Sequence, residues 1–155
     1  MRNLMMACLL IAAGTQAAYA KPKNFDVIVR NTGIDVVDLG QTGPSIGDIA
    51  VTRGDVYSIK NNELIGTYVS RKILVSVDIP GGLDERDTIS EYTLKDGSIT
   101  IVGMTTNNSG TNLVGRKDSR PIVGGTVKYA GAKGVSTITP VDGQPRTFLV
   151  EMRFK

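Results

Sequence analysis

Apolar and polar residues alternate along most of the chain, and no stretch of about a dozen residues carries the apolar stripe of an amphipathic helix. The alternation predicts strands over Asn24–Leu39 (open to a break at Gly33), Asp48–Ile59, Leu64–Asp78, Asp87–Leu94, Ser98–Thr106, Arg120–Val127, Ala132–Thr139 and Arg146–Phe154. Between them lie Lys60-Asn61-Asn62-Glu63, Pro80-Gly81-Gly82, Lys95-Asp96-Gly97 and Val141–Pro145, where Gly and Asn supply positive φ and Pro pre-sets φ. Gly40–Ser45 is Gly-rich but lacks the Gly-Lys-Ser/Thr of a phosphate loop, so it reads as a connection. Asn107–Ser119 is the one long loop, either a flap over a barrel mouth or a tolerated insertion.

Consecutive antiparallel strands with no helix to cover a sheet face need closure or a second sheet to hide their apolar sides. The expected fold is all-β: an eight-stranded antiparallel barrel of calycin type, its interior either filled by side chains or wide enough for one small ligand. The last strand shows the split, with Phe148, Val150, Met152 and Phe154 on one face and Thr147, Leu149, Glu151 and Arg153 on the other.

The first residues depart from this pattern. Met1-Arg2-Asn3, the apolar run Leu4–Ala13 and the A-x-A ending Ala18-Tyr19-Ala20 have the form of an export signal, too short for a spanning helix. The expected organisation is a signal peptide over 1–20 and a barrel domain over 21–155, in a secreted or periplasmic protein. Cys8, the only cysteine, falls in the signal, so the barrel must be stabilised by core burial without disulfides.

The 155 residues, 41% hydrophobic and 21% charged, suit one globular domain. The absence of His excludes Ser-His-Asp and Cys-His catalysis and His-ligated metal. A net charge of +3 comes from scattered Lys and Arg, with Arg71-Lys72 and Arg116-Lys117 the only adjacent pairs, so no nucleic-acid stripe is expected.

Three stretches carry a family resemblance. Ile46-Gly47-Asp48-Ile49-Ala50-Val51 with Gly54-Asp55-Val56-Tyr57 is similar to a Gly-Asp strand and its successor in allene oxide cyclases. Leu64-Ile65-Gly66 and Asp96–Gly103 are similar to the segments that follow. Ile122–Gly134 resembles the Gly-Gly-Thr-Gly-x-aromatic-x-x-Ala-Arg-Gly signature shared by dirigent proteins and the bacterial allene oxide cyclase-like group. The resemblance covers Phe25 to Phe154. It implies a small barrel, often dimeric or trimeric, whose cavity holds a hydrophobic or aromatic intermediate while it cyclises or couples, with neither metal nor cofactor. The glycines themselves read as structural: a bulge or close crossing at Gly124-Gly125, a turn at Gly131 and a close approach at Gly134.

The sequence also departs from the family. Val127 stands at the last Gly of Gly-Gly-Thr-Gly, and Lys133 replaces the Arg of Ala-Arg-Gly. Arg71-Lys72 and Met104-Thr105 stand where plant allene oxide cyclases place a Cys and a Tyr, Val27–Asn31 offers no carboxylate, and the dirigent Tyr is missing before Gly97-Ser98.

The candidate catalytic residues are Asp48, Tyr68 and Lys133. Asp48, a carboxylate opening a strand, can accept a proton, or cap a turn. Tyr68 can donate one directed hydrogen bond inside an apolar cavity, or lie outside it; it is read as sharing a face with Leu64 and Gly66, opposite Ile65. Lys133 can stabilise a developing anion, or be a solvated lysine. Arg71, Glu91, Tyr92 and Arg153 are the candidate substrate contacts, with Glu151–Arg153 alternatively an exposed pair. The expected partner is a small hydrophobic ligand, with no nucleic acid or membrane and a homodimer or homotrimer as the assembly. The functional expectation is ligand binding that steers cyclisation or isomerisation, against a non-catalytic carrier or a solid structural barrel.

Overall fold

The alternating segments become strands β1 (Phe25–Val37), β2 (Ile49–Ser58), β3 (Leu64–Ile79), β4 (Leu83–Leu94), β5 (Gly97–Asn108), β6 (Asp118–Gly125), β7 (Gly134–Pro140) and β8 (Thr147–Phe154). The computed structural model describes residues 21–79, 83–108 and 117–155. The expected export signal over residues 1–20, the Pro80-Gly81-Gly82 turn and residues 109–116 of the long loop, Arg116 among them, lie outside the described residues. Each strand pairs antiparallel with the next, and β8 pairs with β1 (Phe25 opposite Met152, Arg30 opposite Thr147), closing an eight-stranded barrel.

Strand ends move for local reasons. β2 starts at Ile49 because Asp48 is occupied in holding the preceding loop. β6 stops at Gly125, and a 3₁₀ turn over Val127–Tyr129 replaces the expected last residues of that strand. The turn swings Tyr129 under one end of the barrel, where its ring centroid lies 6.2 Å from Phe25 and 6.0 Å from Phe154. A side chain at Gly125 would collide with the Ser98 carbonyl and with Tyr129, so this crossing requires glycine.

Two bulges reset the alternation. On β1, Asn31 pairs with Gly54 and Gly33 with Arg53, leaving Thr32 as an extra residue. Val27 and Val29 are buried before the bulge, and both Asn31 and Ile34 line the lumen around it. On β3, Val56 pairs with Gly66 but Tyr57 with Leu64, so Ile65 is the extra residue. Ile65 packs against the core and Leu64 is exposed, which corrects the expected grouping of Leu64 with Tyr68.

The interior is graded along the barrel axis. One end is filled by Val27, Val56, Ile99, Met152 and Phe154, plugged by Tyr129. Toward the other end the buried residues become Thr52, Ser70, Thr88, Ser90, Thr105, Arg120 and Ser136. The barrel is therefore solid over one half and polar-lined over the other.

Candidate functional site

The polar half holds a cavity of about 130 Å³, open at its mouth, to which all eight strands contribute. Val29, Ile34, Ile138, Phe148 and Val150 form apolar walls; Asn31, Thr52, Tyr68, Lys72, Tyr92, Thr105, Asp118 and Arg120 bring polar groups. A larger groove of about 920 Å³ lies outside the plugged end, lined by Lys21, Lys23, Lys60, Lys95 and Lys128 among others. Those lysines are solvated, whereas charged groups in the lumen face a low-dielectric wall, where directed interactions are stronger.

Arg120 crosses the lumen because β5 leaves it room. Gly103 has φ +145°, and a Cβ there would lie 3.2 Å from Arg120 Cγ, so glycine opens the path for the arginine stem. The guanidinium Nη1 donates to Ser90 Oγ at 3.2 Å. Its Nε lies 3.2 Å from Asp118 Oδ2, but the N–H is not aimed at that oxygen, so the guanidinium is ion-paired while its Nε is buried without a hydrogen bond. Ser90 Oγ donates in turn to Ser70 Oγ at 3.1 Å, and the Thr88 and Thr105 hydroxyls are 2.9 Å apart.

Lys72 lies two residues beyond Ser70 on the same face of β3 and reaches the same cavity. Burial, then the positive charges of Arg120 and Arg86, bring its ammonium down to about 8; Asp118 and Asp84 act in the opposite sense. Asp84 is held by Arg86, Oδ2 to Nη2 at 2.7 Å and Oδ1 to Nε at 3.2 Å. Tyr68 and Tyr92 pack with ring centroids 4.9 Å apart at 49°, and burial, then Tyr68, pushes the Tyr92 phenol well above its ordinary range. The Tyr92 phenol is thus present as a neutral group.

Of the predicted residues, the structure brings together Tyr68 and Tyr92 in the lumen. Asp48 is buried elsewhere, against the β1–β2 loop, accepting from the N–H groups of Leu39 at 2.8 Å and Ser45 at 2.7 Å and from the Ser45 hydroxyl at 3.1 Å. Lys133 is exposed in the turn before β7. Arg71 and Glu91 are exposed on the outer faces of β3 and β4. Arg153 is exposed and ion-paired with Asp26 and with Glu151, the latter at 2.9 Å.

Asn31, Thr52, Lys72, Thr105, Asp118 and Arg120 are the polar lining residues that the sequence reading passed over. For Lys72 the signal was present: with Tyr68 inward, a period of two turns Ser70 and Lys72 inward and Arg71 outward. The same rule separates Glu91 from Tyr92. Arg120 had the weaker signal of alternating with the apolar Ile122.

No family model matches the sequence, and no curated protein matches it. Solved structures do match the fold. A pyocyanin demethylase superposes with a TM-score of 0.66 at 20% identity, over 86% of this chain and 100% of the other. The exo-specific intermolecular Diels–Alderase AbnU gives 0.61 at 16% identity, over 86% and 98%. The pterocarpan synthase dirigent protein GePTS1 gives 0.61 at 13% identity, over 85% and 82%. The chain therefore has the closed eight-stranded barrel fold found in Diels–Alderases and dirigent proteins.

Proposed function

We propose that this is an exported barrel that binds a small, largely hydrophobic or aromatic molecule in its lumen and steers the cyclisation or isomerisation of that molecule without a cofactor. The observation that carries the reading is the cavity itself: apolar walls from five side chains, and two phenols, a lysine and an arginine converging on the same space. A volume of about 130 Å³ suits one ring, since a dry cavity of ~150 Å³ holds a benzene, and the open mouth leaves room for substituents. A ring held against Phe148 and Ile138 loses conformers, which favours one intramolecular approach over others. Tyr68, Lys72 and Arg120 can stabilise negative charge developing on a ring oxygen. The fold shared with proteins described as Diels–Alderases and a dirigent protein supports confinement chemistry in a barrel of this shape.

A carrier is the second reading, favoured by one observation: Ser70–Ser90 and Thr88–Thr105 satisfy each other, leaving few free hydroxyls to direct a reaction. The test is native mass spectrometry against a panel of one- and two-ring enones and phenols, followed by chiral product analysis of any that bind. The expected result is one ligand per barrel and a product distribution different from that in buffer. Binding with an unchanged distribution establishes the carrier; an empty barrel across the panel overturns both readings.

A further inference from the structure

Lys72 is the cation without a partner at the polar end of the lumen. Among the described residues, Lys72, Arg86 and Arg120 act on one another there beside the carboxylates Asp84 and Asp118, while Asp48 reaches Arg86 from the β1–β2 loop with its oxygens already taken by the Leu39 and Ser45 N–H groups. Asp84 is engaged by Arg86 at 2.7 Å and Asp118 by Arg120 at 3.2 Å. Among the described residues, no carboxylate lies within ion-pair distance of Lys72. Two buried polar atoms on the same cavity also lack partners: Arg120 Nε, in a side chain only 4% exposed, and Asn31 Oδ1. Turning the Asn31 amide by half a turn presents its N–H groups instead. A lysine without an ion-pair partner, an incompletely bonded guanidinium and an unpaired amide around one cavity form a receptor suited to an anion.

Taking the lumen as the ligand site, we propose that the ligand carries one anionic oxygen group, a carboxylate or phenolate, seated between Lys72 Nζ and the Arg120 guanidinium with its ring against Phe148. The apolar walls lie beside these polar groups in a single cavity, so one ring can reach both. The anion would offset the repulsion that Arg120 and Arg86 exert on Lys72. A neutral ligand of the same shape leaves that repulsion in place.

The sign of the pH dependence follows. The charged groups facing Lys72 are Arg86 and Asp84 from β4 and Asp118 and Arg120 from β6, and the Tyr68 and Tyr92 phenols line the same space. Below about pH 8 Lys72 is already protonated, and anion binding takes up no proton. Above it the free lysine is neutral and must be recharged on binding, so affinity falls by up to about tenfold per pH unit.

The test is titration calorimetry of the whole protein with benzoate, 2,4-dinitrophenolate and the neutral benzamide, from about pH 6.5 to about pH 9.5, spanning the Lys72 value of about 8. The two anions should bind more tightly than the amide, with proton uptake appearing only at the alkaline end; the tighter of the two identifies the oxygen group preferred. Lys72→Met should weaken anion binding about tenfold at neutral pH, abolish the alkaline slope and leave the amide unaffected. The wild-type proton uptake, read in buffers of different ionisation enthalpy, stands even if the variant folds poorly. Amide binding as tight as carboxylate binding, or a slope that survives in Lys72→Met, overturns the anion assignment and leaves the lumen as the ligand site. Failure of all three probes to bind counts against both.

Discussion

At the scale of single residues, Asp48, a candidate by its sequence context, lies against the β1–β2 loop, whereas Lys72, notable in the sequence only as half of a basic pair, lines the lumen. The Asp48 carboxylate is held below its ordinary range, first by the Leu39 N–H and then by the Ser45 N–H. A depressed carboxylate contributes stability that is complete above the unfolded-state value of about 4 and is lost as the pH falls through the folded-state value. Asp48→Asn should therefore lower the melting temperature at neutral pH, narrow its gap to wild type in acid and leave ligand binding unchanged; thermal scans from about pH 7 to about pH 2.5 measure this. Arg153→Ala, which removes an exposed ion-pair cluster, should cost about 1 kcal/mol or less and likewise spare binding. Tyr68 and Tyr92 were legible from the sequence as strand-borne phenols. Arg71 and Lys72 are adjacent and equally charged, and only the facing direction of Tyr68, which composition does not carry, decides between them.

At the scale of elements, strand positions were legible because alternation is a direct trace of a two-sided sheet. Bulges were less so, since one extra residue at Thr32 or Ile65 flips the face without changing the composition. The glycine-rich stretch can be read position by position. Gly131 takes φ +69° in the turn, and at Gly134 a side chain would collide with the Arg153 carbonyl of β8. Gly134→Ala should destabilise the barrel by about 1–3 kcal/mol in urea melts. Val127, the departure from the glycine signature, sits at φ +49° and is 70% exposed. A β-branched residue is strained there and buries little in compensation. Val127→Gly should raise stability by about 0.5–1 kcal/mol, after allowing for the extra freedom glycine gives the unfolded chain, and the urea midpoint measures it.

At the scale of the whole molecule, the barrel divides into a packed half and a polar-lined half that holds the cavity. Ile101, fully buried, belongs to the core cluster, and Ile101→Ala should cost about 2–5 kcal/mol in urea melts. Closure was legible from the number of strands and the lack of helices. The gradation along the axis was not, because it depends on which rung of the barrel each inward residue occupies. The pairing of β1 with β8 has a consequence for how the chain reaches this state. Until the last strand docks, β1 and β7 are both raw sheet margins, and the contacts that join them span nearly the whole chain. Refolding should accordingly be slow, in the millisecond-to-second range typical of non-local topologies. A chain cut before Thr147 would be left with two sticky margins and a split in its wall, and would meet other such chains edge to edge before finding any fold of its own.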